Sequence, residues 1–399
     1  MRRVTLAGGS GPPYNAGMAA THTAACRAAI FGALVRPHRA SAVLGIAFAV
    51  ALGALWSIKQ ASRTTRALSS PAAEGALSSQ EDPKKRLLPQ PTENAPARSP
   101  AQKKEQAKGR RFDGRRAYAY LRQLCALGPR ISGTPGMRQQ QQLLEKHFHD
   151  LGAQVEYQRF QVKRHPITGR PVPMANLIVQ WRPKARERIL LCAHYDTRPR
   201  PDRDVDPRKR RSGVFLGAND GASGVAVLME LAHHAAALPT RYGLDFVLFD
   251  GEEFVFVERR DPYFLGSEWF ARSHQRRPPE HRYVAGVLLD MVGDRNLTIY
   301  QERSSATWPD TRPLVQEIWD TAERLGVKEF IPRVGYDVRD DHVPLHQIAK
   351  IPIIDLIDFE YPDRSNRFWH TTQDAPGRCS AESLGKVGWV LLEWLASKQ

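Results

Sequence analysis

The chain has 399 residues, enough for one large α/β domain with appendages or for two domains. Its formal net charge of +16 points at first to a polyanionic partner, but the excess is local: Lys and Arg outnumber Asp and Glu 19 to 6 over residues 1–116 and only 39 to 36 over the rest. With the charge confined to a tail and no zinc-finger or RNA-binding spacing, no nucleic-acid partner is expected. Cys26, Cys125, Cys192 and Cys379 are too few and too scattered for a disulfide framework or a cysteine zinc site, and a Cys125–Cys379 bridge is left open.

Residues 1–39 show no clear period and read as an N-terminal cytoplasmic segment. Residues 40–58, ASAVLGIAFAVALGALWSI, are uncharged and just long enough to span a bilayer as a signal anchor. Residues 59–112 are rich in Ser, Pro, Ala, Gln and Lys and lack aromatics until Phe112, as expected of a disordered basic linker. These features predict a catalytic domain over 113–399, anchored to a membrane by one helix and displayed outside the cytoplasm, in the periplasm or at the cell surface. A monomer is expected.

Within that domain, spacing predicts helices at 117–128 and 137–152 and strands at 154–162, 175–181 and 188–196. A charged, Pro-bearing loop follows at 198–213, then a helix at 225–238. LDFVLF, from Leu244, reads as a buried strand that runs into the acidic cluster Asp250-Gly251-Glu252-Glu253. A helix near 267–274, a strand from 284, a helix at 311–326, a strand at 351–358 and a helix at 381–397 complete the pattern. Apolar strands alternating with amphipathic helices predict an α/β fold: a mostly parallel twisted sheet with helices on both faces, preceded by the transmembrane helix and tether.

Nearly every apolar strand ends in acids or histidine. His194-Tyr195-Asp196 follows the strand from 188, and DGEE follows LDFVLF. Asp290 closes the strand from 284, and WHTTQD, from Trp369 to Asp374, follows the strand at 351–358. GANDGASG places Asp220 near a helix N-terminus. Each has an ordinary explanation: Asp220 fits a turn or cap, His194 and His370 fit buried core histidines, Asp290 fits a cap, and an acidic pair fits a solvated turn. Together, at the strand ends where open α/β sheets bind ligands, they read as a metal site with hard oxygen and imidazole donors, a set suited to zinc. Two adjacent carboxylates then divide the work, one on the metal and one moving protons.

The ordered motifs HYDT, GANDGASG, DGEE, LLDMVGD, DDH and WHTTQD resemble those of the zinc-dependent glutaminyl cyclases, the glutaminyl-peptide cyclotransferases, which share the fold of the zinc aminopeptidases. The resemblance covers roughly residues 117–399. It implies zinc on Asp220, Glu253 and His370, with Glu252 as general acid/base. It also implies Asp290 and Asp340 as carboxylates hydrogen-bonded beside Glu252, and Trp369 as a wall of the substrate pocket. The Asp340-Asp341 doublet before His342 and Trp369 directly before His370 favour the cyclase branch. Two departures bear on the pocket: Asp355 stands where animal cyclases carry a histidine, and Glu258 where they carry an aromatic.

The implied reaction converts the N-terminal glutaminyl residue of a peptide or protein to pyroglutamate with release of ammonia, on one zinc ion. The same residues also suit a two-zinc aminopeptidase, in which His194 and Asp290 hold a second ion bridged by Asp220. A catalytically silent binding module is disfavoured by the completeness of the set Asp220, Glu252, Glu253 and His370.

Overall fold

The computed structural model describes residues 111–399. The expected segments at 1–39 and 40–58 and nearly all of the linker lie outside the described residues. Among those described, no helix is long and apolar enough to cross a membrane.

Among the described residues, eight strands and nine α-helices follow in chain order: α1 (Gly114–Ala126), α2 (Pro135–Asp150), β1 (Gln154–Val162), β2 (Val172–Trp181), β3 (Glu187–His194), α3 (Pro207–Ser212), α4 (Ala222–Ala235), β4 (Gly243–Phe249), α5 (Leu265–Arg276), β5 (Arg282–Asp290), β6 (Ile299–Gln301), α6 (Arg303–Thr307), α7 (Arg312–Leu325), β7 (Phe330–Val334), α8 (His342–Gln347), β8 (Ile353–Ile357) and α9 (Ala381–Ser397). Helix starts are chemically marked. Asp113, Thr134 and Ser380 cap α1, α2 and α9 with side-chain oxygens that accept backbone N–H groups, and Pro135 opens α2.

The main sheet has six strands in the order β1-β2-β4-β3-β5-β8. It is mixed: three of its five pairings are parallel, and only β2 runs against the other strands. β4, β3, β5 and β8 run parallel, whereas β1 pairs antiparallel with β2, and β2 antiparallel with β4. The short connection from Val162 to Val172 explains the first of these pairings, because a parallel pair needs a crossover of about a dozen residues or more.

The parallel strands carry side chains into two separate cores. Ile189, Leu191 and Ala193 of β3, with Leu244, Phe246 and Leu248 of β4, pack into the larger core beneath α1, α2, α4, α7 and α9. The intervening Leu190, Cys192, Val247 and Phe249 pack into a smaller core with Phe270 of α5 and Leu345 of α8. This period-two division explains why β3 and β4 read as continuous apolar runs: both faces are covered, as expected. Cys125, Cys192 and Cys379 are buried free thiols.

All four parallel strands point their C-terminal ends to one edge of the sheet. His194, Asp250 and Asp290 sit at or just beyond the ends of β3, β4 and β5. That common direction brings residues far apart in sequence into one site.

Candidate active site and metal centre

Three of the predicted ligands converge. One donor atom each from Asp220, Glu253 and His370 lies within 4.8 Å of the others, and all three residues are buried. His370 Nε2 stands 3.3 Å from Asp220 Oδ2 and 3.3 Å from Glu253 Oε1. A second group, His194, Asp220 and Asp290, shares Asp220. There His194 Nε2 is 3.2 Å from both Asp220 Oδ1 and Asp290 Oδ1.

The local backbone is built to bring these groups close. Gly221, the residue before α4, has φ +93° and lies so near β3 that a Cβ there would meet His194 Cε1 at 2.9 Å and the Asp196 carbonyl oxygen at 3.0 Å. His370 and Met291, next to Asp290, hold left-handed φ values of 54° and 51°. Such conformations cost about 1–3 kcal/mol each in non-glycine residues and collect at functional sites.

Buried carboxylates behind the site fix the loops by accepting backbone N–H groups. Asp196 accepts from the amides of Glu252 and Glu253, each at 3.1 Å. Asp374 accepts from Asn219 at 2.8 Å, from Asp220 at 3.1 Å and from the Tyr361 hydroxyl at 2.8 Å. Asp250 accepts from Ser132 Oγ at 2.7 Å and the Ala175 amide at 2.9 Å.

The main cation at this edge is Arg198, fully buried. Its guanidinium donates to Glu253 Oε1 at 2.9 Å, to both Asp202 oxygens at 2.8 Å, and to the Tyr263 hydroxyl at 3.2 Å. Asp202 Oδ1 also lies 3.7 Å from His370 Nδ1, so one fork stands behind two of the three convergent ligands. Sequence reasoning missed Arg198, Asp202 and the anchoring role of Asp374. All three lie in or beside loops whose sequence gives no sign of which charges will be buried.

Burial, and then the adjacent Glu253, hold the Glu252 carboxyl well above its usual range; Asp340 and Asp341 add to this and His194 opposes it. Burial, followed by Asp290 and Asp341, does the same to Asp340. Burial alone would raise Asp220, but His194 and His370 overcome it and lower Asp220. The site is therefore an excess of carboxyls around two imidazoles. Asp290 pairs with His194, and Asp340 accepts the Asp341 amide at 2.6 Å. Both line one cavity with Glu252, and carboxyls crowded together can bond one another only by sharing protons.

The donor set tests well against a bound cation. Asp220 Oδ2 and Glu253 Oε2 are buried without a hydrogen-bond partner. Orphaned carboxylate oxygens at this depth are costly unless a cation meets them. Two carboxylates and one imidazole with space beside them match a zinc site that keeps an open position.

That space is a cavity of about 670 Å³ lined by Glu252, Glu253, Asp220, Asp290, Asp340 and His370 at its buried end. Tyr263, Phe264, Phe359 and Trp369 supply its aromatic lining, and the exposed Glu258, Arg259 and Arg339 lie at its mouth. A second cavity of about 690 Å³, lined by Glu156, Trp269 and His281 among others, contains none of these groups.

The family model of peptidase family M28 matches residues 176–395. The chain belongs to that family. This M28 chain is 28% identical over 277 residues to the glutaminyl-peptide cyclotransferase of Gloydius blomhoffii, covering 61% of this chain and 71% of that one. The crystal structure of Fimbriiglobus ruber glutaminyl cyclase matches at 40% identity and TM-score 0.67, covering 72% of this chain and 96% of that one. A Zn-dependent exopeptidase from Parabacteroides distasonis matches at 32% identity and TM-score 0.66, covering 72% and 98%. The M28 fold accounts for the zinc-exopeptidase-like architecture, and the relatives support the resemblance first read from the motifs.

Proposed function

We propose that this M28 chain is a zinc-dependent glutaminyl-peptide cyclotransferase that converts N-terminal glutaminyl residues of peptides to pyroglutamate with release of ammonia. The observation that carries the reading is the convergence of Asp220, Glu253 and His370 beside a Glu252 whose carboxyl is pushed up by burial. In this reading Asp220, Glu253 and His370 hold one zinc ion. When bound, zinc supplies Lewis acidity to the γ-carboxamide carbonyl of the substrate.

The chain's own residues do the rest. Glu252, in its carboxylate form, takes a proton from the α-amine. The amine nitrogen forms its bond to the amide carbon, the bond from that carbon to the amide nitrogen breaks, and Glu252 returns the proton to the departing ammonia. Attack is intramolecular, so a cavity that holds the reactive rotamer contributes much of the rate. The aromatic lining around Trp369 excludes water, which would otherwise compete as nucleophile. Asp290 and Asp340 help hold the proton balance around Glu252.

One observation keeps a second reading in view. The group His194, Asp220 and Asp290 could hold a second ion, as a two-zinc aminopeptidase requires. The discriminating experiment incubates zinc-loaded protein with a peptide bearing N-terminal glutamine and analyses the products by mass spectrometry. A cyclase yields the full-length pyroglutamyl peptide and ammonia, with one zinc per chain. Free glutamine and a shortened peptide, with two zincs, would establish the aminopeptidase instead.

The apolar run at 40–58 supports a further part of the proposal: the catalytic domain is tethered to a membrane and works outside the cytoplasm.

A further inference from the structure

We propose that Arg203 is a positioning residue that holds Trp369 as the wall of the cavity, with Glu258 anchoring it from the loop after β4. The proposal rests on the cavity being the substrate pocket. Arg203 has its guanidinium carbon 4.0 Å from the centre of the Trp369 ring. Its Nη2 donates to Glu258 Oε1 at 3.2 Å. Its backbone N–H donates to the carbonyl oxygen of His370 at 3.1 Å. The next residue, Asp204, accepts from the Thr372 amide at 3.0 Å and the Thr372 hydroxyl at 2.6 Å. The main chain beneath Arg203 is thereby fixed to the segment that carries Trp369.

Trp369 and Glu258 line the cavity, whereas Arg203 does not. The guanidinium therefore backs the indole from outside, and Phe359 braces it edge-on at 5.1 Å. An exposed ion pair such as Arg203 to Glu258 contributes little by itself. Here it aims a cation that attracts the ring electrostatically, and the two contacts act on one side chain. The wall then stands in its substrate-binding position before substrate arrives, and binding does not have to order it. The device also fits the position of Glu258, which gives the rim a carboxylate to pair with Arg203 rather than a second ring.

The test measures binding of a short peptide with N-terminal glutamine to zinc-loaded full-length protein by calorimetry, in a Glu252→Gln background so that turnover does not interfere. Adding Arg203→Ala, or Arg203→Met, which keeps length but loses charge, should weaken binding about three- to tenfold. Arg203→Lys should restore part of the loss. In a Trp369→Ala background the Arg203→Ala effect should vanish, because the arginine acts only through the ring. Unchanged binding in both charge-removing variants, or an undiminished effect without Trp369, would overturn the proposal. If wild type releases no ammonia while this cycle holds, the cyclase reading falls and the role of Arg203 stands. If ammonia is released and the cycle fails, the reverse follows. A peptide that binds none of the chains overturns both.

Discussion

Arg198 and Glu253 form a fully buried ion pair, Nη1 to Oε1 at 2.9 Å, directly behind the convergent carboxylates. A cation there is not an alternative to zinc, because Arg198 is simultaneously held by both oxygens of Asp202. The fork fixes one oxygen of Glu253 and leaves Oε2 without a partner. Removing the arginine leaves two carboxylates uncompensated. Arg198→Met should therefore destabilise the zinc-free protein by about 3–5 kcal/mol, the usual loss when one partner of a buried pair is deleted. Zinc should recover part of that loss by meeting Glu253. Denaturant unfolding with and without zinc measures both, and equal stability of variant and wild type in the absence of zinc would contradict the account.

Gly221 makes a second prediction at the opposite side of the ligand set. Its positive φ and its approach to His194 and the Asp196 carbonyl leave no room for a methyl group. Gly221→Ala must shift Asp220 or the end of β3, and a displacement of about 1 Å at such a site costs about a hundredfold in rate. Zinc affinity, measured by competition with a chromophoric chelator, should fall in parallel. Wild-type affinity in the variant would show that the close approach is incidental.

The pH dependence of stability has a remote contributor. Asp358, just after β8, accepts the Thr298 amide at 2.8 Å and the Glu360 amide at 3.0 Å, and burial pushes its carboxyl up to about 8. A carboxyl raised in the fold binds its proton more tightly there than in the unfolded chain. Its contribution is fully present below the unfolded value and is lost as pH rises through about 8. Asp358→Asn stays neutral throughout. Relative to wild type it should gain thermal stability between about pH 5 and pH 8 and level off above that. Parallel melting curves across that range would contradict the assignment.

The domain described over 111–399 carries every group proposed for catalysis. A chain beginning at residue 111 should therefore keep the turnover of the full-length protein within about twofold, since a segment poor in aromatics adds no core. A large loss of turnover would show that the N-terminal segment docks on the domain. Full-length protein with an intact N-terminus, recovered without detergent in the soluble fraction, would count against the proposed anchor.

Much of this was legible in the sequence because the parallel strands are buried on both faces. β1 at 154–162 and α9 at 381–397 fall where periodicity places them. α3 escaped because it has no buried residue and hence no apolar stripe. β6, α6, β7 and α8 are too short for a period to show. The two antiparallel pairings of β2 were hidden for a different reason: strand direction follows from connection length and pairing, not from the pattern of a single strand. Glu253 stood out because it follows an apolar strand, and Asp220 and His370 because they sit in the short motifs GANDGASG and WHTTQD. Arg198, Asp202 and Arg203 did not, since a charged loop read alone gives no sign of which charges will be buried or paired with carboxylates 55 residues away.

The central claim is that Glu252 and Glu253, neighbours of identical chemistry, do different work. The most direct test is zinc content together with ammonia release from a glutaminyl peptide in Glu252→Gln, set beside Glu253→Gln. Glu252→Gln should retain its zinc and lose about 10²–10⁴-fold in turnover, the contribution of a placed proton-transfer group. Glu253→Gln should lose zinc, because a neutral amide is a poorer ligand and the site gives up a charge. Near-wild-type turnover in Glu252→Gln, or loss of zinc from Glu252→Gln while Glu253→Gln keeps it, would contradict the account.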